Sequence, residues 1–239
     1  MHSTIYFEHE HLSLLRGVAP ARGENAEMKQ PRWGTEHRLI KSNKVRNRLN
    51  RNKKHRQTMN DIIKQLCNTD ELVEIYTNPM DSDKFGVAYI VACSDEHFLV
   101  HSFQENDLDD GYYVDCIDSV MRIQRNTIYL NNMLQFIKPK TGKYQLPKGY
   151  WPDLNLFGAV LSLCQEKQLV AQVAVNHEYS KFGWIKSFND DVLEMDCLDC
   201  DGMFDGTTYL RMENINMVGF GGVDEERRAK LFHNRTHQK

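Results

Sequence analysis

Cys197-Leu198-Asp199-Cys200 has the spacing that grips a zinc ion or cycles as a dithiol. A closed zinc site needs four ligands, and no second Cys-x-x-Cys or His pair answers these two. His177 would serve only if the fold carried it round. Asp196, Asp199 and Asp201 surround the thiols with negative charge, which opposes a reactive thiolate. Asp199 to Gly206 alternates carboxylates as a calcium loop does, but the twelfth position is Leu210 rather than a closing glutamate. Asp190-Asp191 and the Asp107, Asp109, Asp110 group read as solvated loops. His97 and His101 stand four apart in a segment with strand character, so no helix face presents them together. No nucleophile elbow, glycine-rich phosphate loop or kinase signature occurs. These observations lead to an expectation of no catalytic residues, no cofactor and no enzymatic activity, with Cys197 and Cys200 as the only metal candidates.

The other chemistry-bearing feature is charge. Residues 1–58 hold 13 Lys/Arg against 5 Asp/Glu, a balance of +8, whereas residues 59–239 hold 17 against 28, a balance of −11. Arg38, Lys41, Lys44, Arg46, Arg48, Arg51, Lys53, Lys54 and Arg56 concentrate the positive charge. Such a run neutralises the phosphates of RNA or DNA, or docks on the acidic remainder of its own chain, or is a solvated tail. Residues 1–35 carry Pro20, Pro31 and scattered glycines with no apolar period, so 1–58 is expected to be a disordered basic tail or an over-long start before Met59.

The chain has 239 residues, 26% charged and 41% hydrophobic, the composition of an ordinary globular protein. No apolar run reaches the roughly 18 residues of a membrane span. Met1–Leu15 carries Glu8 and Glu10 where a secretory signal needs an apolar core. Six cysteines in a chain this long, without an export signal, read as reduced thiols and a cytoplasmic location.

From residue 59 the chain repeats itself. An offset of 97 carries Leu66-Cys67 onto Leu163-Cys164, Leu72-Val73 onto Leu169-Val170, and Lys84-Phe85-Gly86 onto Lys181-Phe182-Gly183. An offset of 95 then carries Asp110-Gly111 onto Asp205-Gly206, Ile117 onto Met212, Val120 onto Ile215 and Ile123 onto Val218. Three ordered blocks with a small change of spacing indicate duplication of a whole domain. Each copy opens on an amphipathic helix and then changes to strand periodicity. The expected strands are 72–77, 85–93, 97–103, 111–117 and 119–123, then 169–175, 182–188, 191–198, 207–212 and 214–220. In the first strand the two copies have opposite apolar parity, Val73 and Ile75 against Ala171, Val173 and Val175, which requires a bulge or a one-residue slip.

The expected architecture is mainly β with short helices: two tandem helix-plus-five-strand small barrels, of Sm-like or SH3-like type, behind the basic segment. Its divisions are 1–58, barrel copies at 59–137 and 153–222, a linker at 138–152 rich in Pro and Gly, and a short helix with a frayed end at 223–239. Tyr144, Tyr150 and Trp151 are placed to clamp the copies together. Tyr112, Tyr113, Tyr209, Phe85, Phe182, Trp184 and Phe188 suit either a pleated core or a stacking platform for bases. Gly183 to Met195 resembles the first motif of the Sm-like proteins, and Gly86 to Val100 resembles it more loosely. The resemblance implies a bent five-stranded barrel and, in RNA-binding members, polar loops and an Arg-Gly-like segment. Here Leu210-Arg211-Met212 lacks that glycine and the loops are acidic.

Three functions follow as expectations. The first is a non-enzymatic interaction module, a regulatory or adaptor protein built from the duplicated barrels that binds a partner protein, with a homo-oligomer as a separate expectation. The second is an RNA- or DNA-binding protein using the 38–56 arm. The third is a small metal- or thiol-dependent protein using Cys197 and Cys200.

Overall fold

A computed structural model describes residues 57–104, 109–137, 144–176 and 179–236. The nine arginines and lysines from Arg38 to Arg56, and His177, lie outside the described residues.

The first half is helix α1 (Met59–Leu66), strands β1 (Leu72–Tyr76), β2 (Gly86–Cys93), β3 (His97–Phe103), β4 (Asp109–Cys116) and β5 (Arg122–Arg125), and helix α2 (Ile128–Met133). After the two-residue strand β6 (Gly149–Tyr150) come α3 (Leu156–Glu166), β7 (Val170–Val175), β8 (Tyr179–Phe188), β9 (Val192–Leu198), β10 (Phe204–Arg211), β11 (Ile215–Phe220) and α4 (Val223–Thr236). The mainly-β expectation holds, and most strands fall within two or three residues of the expected ranges. The fifth strand of the first half begins later, at Arg122, because Ile117–Ser119 forms a 3₁₀ turn. The final helix runs on to Thr236 rather than fraying near 230: Phe232 packs edge-on against Trp184, and Arg235 donates to the Asp201 carbonyl. Gly149–Tyr150, expected as linker, pairs in parallel with Ala92–Cys93.

The two halves repeat one set of ladders. Val87 pairs with Phe103 and Ile90 with Val100; raising every number by 95 gives Phe182 with Leu198 and Ile185 with Met195. The bulge after Ile90 recurs after Ile185. Leu99 opposite Val114 becomes Glu194 opposite Tyr209 under the same offset. The 3₁₀ turn Ile117–Ser119 becomes Met212–Asn214. N-caps Thr58 and Asn155, 97 apart, each accept from the backbone N–H three residues on. In the first strand the offset is 98: Val73 opposite Arg125 and Ala88 matches Ala171 opposite Phe220 and Gly183. That slip resolves the parity conflict, since Val73 and Ile75 fall on Ala171 and Val173. It also corrects two alignments. Leu72-Val73 falls on Val170-Ala171, and Gly183 takes the place of Ala88, not Gly86. The β7–β8 turn is much shorter than the β1–β2 loop, so a fixed offset cannot span both.

The expectation of two closed barrels is corrected in one respect: the sheet is not closed. Eleven strands form one sheet in the order β10-β9-β8-β7-β11-β4-β3-β2-β1-β5, with β6 beside β2. Each half is an open five-stranded sheet, and the halves join through β4 and β11, where Val114 pairs with Val218 and Tyr112 with Phe220. Closure would require β5 to pair within its own half as well as with β1; instead β11 gives its outer edge to β4 of the other half, and β5 ends the sheet among the described residues. The larger core cluster accordingly draws Ala92, Leu99, Tyr112 and Val114 from the first half into contact with residues of the second, among them Leu156, Phe157, Val173 and Val218.

Candidate interaction surface

The thiol pair offers no closed site. Cys197, on β9, is buried and donates to the Thr208 hydroxyl at 3.2 Å. Cys200 is exposed on the turn before β10. Among the described residues no group of three or more His, Cys, Asp or Glu is arranged to hold a metal ion. The acidic loops are absorbed by their own backbones. Asp199 accepts from the N–H groups of Asp201 and Met203, and Asn189 from those of Asp191 and Val192. His97 stands edge-on against Phe157 at 4.5 Å, and burial holds its pKa below the usual value. His101 meets Asp109 at 2.9 Å and stacks on Tyr112. The two histidines therefore serve different neighbours.

The aromatics divide between core and surface. Tyr112 is buried in a column with His101 and Phe220, and Tyr144 packs edge-on against both Tyr112 and Phe220. Tyr144 thus clamps the halves as expected. Tyr150 and Trp151 bond to the first half: the Tyr150 hydroxyl donates to Asp95, and the Trp151 backbone N–H to the Cys93 carbonyl. Tyr209 and Phe204, by contrast, stand on β10 at 67% and 58% exposure.

The principal feature that residue-by-residue reading missed is the β4–β11 seam. One signal of it was present. His97-Phe98-Leu99-Val100-His101 is apolar without a break at 98–100, the mark of a strand buried on both faces, whereas Leu193-Glu194-Met195-Asp196-Cys197 alternates. The structure buries Phe98, Leu99 and Val100 completely, one set under its own half and Leu99 under the other.

Charge at the seam is unusual. Asp115, on β4, is buried beside this junction; burial raises its carboxyl to about 7, against the opposing pull of the Cys116 N–H and the Ser119 hydroxyl. Glu225, at the start of α4, is likewise raised to about 7 by burial, with Asp110 adding repulsion. Asp110 is itself raised by burial and accepts from the Gln104 amide.

The same pairing surfaces recur at the sheet's ends. β5 corresponds to β11 and β10 to β4, and among the described residues β5 bonds only β1 and β10 only β9. Backbone N–H and C=O groups along such an edge are a template for another strand unless charge or distortion blocks them. β10 carries no charged residue from Gly206 to Leu210. Its outer-face neighbours are acidic: Tyr209 donates to Glu194 and Thr207 to Asp196. β5 is basic, with Arg122 and Arg125 both exposed. Arg122 lies over the Tyr76 ring and donates to the Ser82 carbonyl, and Arg125 pairs with Glu71. Ile128, just past β5, is 82% exposed.

No protein-family model, curated protein or solved structure matches the chain. No helix among the described residues is long and apolar enough to cross a membrane.

Proposed function

We propose that this chain is a non-enzymatic interaction module, a duplicated scaffold of small bent sheets of Sm-like kind that engages partner protein through its two open sheet edges. One observation carries the reading: the module already makes one strand-to-strand junction of this kind, β4 to β11, and carries the corresponding strands at both ends of the sheet with no second strand beside them among the described residues. Main-chain pairing at a sheet edge provides affinity, and side chains beside the edge provide choice of partner. The test is hydrogen exchange on the full chain, alone and in the complex recovered with it from cells. Slowed exchange confined to β5 or β10 in the complex is expected. Slowed exchange in the loops, with both edges unchanged, overturns the reading.

The second reading is nucleic-acid binding by the 38–56 arm, favoured by its +8 segment against the −11 remainder. Replacing the nine Lys/Arg by Gln in the full chain separates the two readings. Arm-driven binding of RNA disappears in that variant, and in the parent chain strengthens steeply as salt falls. Edge-driven protein binding survives the replacement.

A further inference from the structure

The edges identify a partner. We infer that β10 of one chain pairs antiparallel with β5 of another, so that copies join head to tail; the inference rests on the edge-pairing reading above and names its partner.

The register follows from the internal seam. There Met217 pairs with Asp115, Val218 with Val114, Gly219 with Tyr113 and Phe220 with Tyr112. Lowering the β11 numbers by 95 and raising the β4 numbers by 95 sets Arg122 against Leu210, Ile123 against Tyr209, Gln124 against Thr208 and Arg125 against Thr207. The joint is heterologous: the surface given and the surface received differ, and each chain carries one of each.

The chemistry of the two surfaces is complementary, and in a different way from the seam. At the seam the contact is apolar: Leu99 and Val114 are wholly buried, and Phe157 and Leu161 of α3 belong to the same cluster. Between chains the equivalent positions are Glu194 and Tyr209 on the receiving face, and Asn60 and Lys64 on α1. Apolar partners are thus replaced on both sides by polar ones: Glu194 and Asp196, which Lys186 approaches at 3.7 and 3.8 Å, on one surface, and Lys64, held by Asp95 at 2.7 Å, with Arg125 on the other. Arg125 enters the row of Thr207 and Asp196, since residues directly opposite across neighbouring strands share a face. Ile123 covers Tyr209, the largest exposed apolar group at that edge. A joint of this make is weaker than the seam and is screened by salt. The rotation per step decides whether the series closes into a ring or runs on as a filament.

The test is mass measurement on the full-length chain, by light scattering and native mass spectrometry, across a salt series. At low salt, species of two or more 28.0 kDa chains are expected, falling to single chains as salt rises. A discrete largest mass identifies a ring, and an open ladder of masses a filament. Arg125→Glu sets an acid in the row of Asp196, and Tyr209→Lys sets a cation beside Arg125 on the same face. Each alone should weaken association by roughly tenfold or more. Mixed in equal amounts, the two variants should regain the parent's masses, because each supplies the edge the other lacks and the altered edges attract. Simple misfolding would not be cured by mixing. If either variant fails to fold, hydrogen exchange on the parent chain decides instead: β5 and β10 should be slowed at low salt and released at high salt.

A parent chain that stays single at low salt, or that associates unaltered by both substitutions, overturns self-pairing. If the edges are nonetheless slowed in a complex with a different protein, the interaction-module reading stands without it. If they are slowed in neither, both readings fall.

Discussion

At the residue scale, two buried carboxyls make stability depend on pH. Burial raises Asp115 and Glu225 to about 7, while an unfolded carboxyl titrates near 4. Between those values the folded chain keeps protons that the unfolded chain releases. The stabilising contribution is therefore complete below the unfolded pKa and is lost as pH rises through about 7. The thermal midpoint should be higher near pH 5 than near pH 8, and the double variant Asp115→Asn, Glu225→Gln should flatten the slope. A midpoint that rises over this interval in the parent chain would show that these carboxyls do not govern it. A matched pair of glycines gives a second residue-scale test. Gly111 and Gly206 both have positive φ, +77° and +85°. A Cβ at Gly111 would meet the Gly222 nitrogen at 2.4 Å, whereas one at Gly206 meets nothing within 4 Å. Gly206→Ala should cost about 1 kcal/mol of backbone strain. Gly111→Ala should cost clearly more, because the β4–α4 corner must also move; equal losses in chemical denaturation would refute that difference. Cys197→Ser with Cys200→Ser should leave metal content unchanged, as read by elemental analysis.

At the scale of elements, the same strand has been put to two uses. β3 lies under its own half on one face and under the second half on the other, so Leu99 is fully buried. At the equivalent place on β9 Glu194 stands where Leu99 would, partly exposed and accepting from the Ser187 and Tyr209 hydroxyls. Leu99→Ala should cost about 2–5 kcal/mol, the usual range for a truncated core leucine. Glu194→Ala should stay within about 0.5 kcal/mol if that face is open to solvent. At low salt and high protein concentration the Glu194 change should cost more, because it then removes an acid from the joint between chains. Urea titrations at two protein concentrations measure both. The seam also explains why Tyr144 belongs to neither half: its ring rests on one aromatic from each.

At the scale of the whole molecule, the shared core predicts how the chain unfolds. Because Ala92, Leu99, Tyr112 and Val114 are packed among residues of the second half, the second half's core is shared with the first, which also holds two clusters of its own. Calorimetry should show one cooperative transition for residues 59–239, with matching calorimetric and van't Hoff enthalpies. Two resolved transitions would mean that the seam is weaker than its burial indicates. Neutralising the nine basic residues of the arm should leave that midpoint nearly unchanged; a loss of several degrees would show that the arm contributes to the fold.

The sequence by itself determined the strands, their order and their duplication. Those are local matters: alternation in Leu193-Glu194-Met195-Asp196-Cys197, caps such as Thr58 and Asn155, and loops such as Asp190-Asp191 act over a few residues and leave their pattern in the chain. It also contained the slip in the first strand, as the conflict of parity between Val73 and Ala171, though not its place. Only the tertiary structure decided that the two sheets join through β4 and β11 rather than each closing on itself. A strand's alternation states which side chains are buried but not which edge its backbone bonds will meet, and Val114 and Val218 would look the same in either arrangement. The thiols illustrate the same limit. Cys197 and Cys200 have a metal-binding spacing, but one lies inside the sheet against Thr208 and the other on an exposed turn, because a strand ends between them. Spacing along the chain states what residues have the reach to do together; the path of the backbone decides whether they meet.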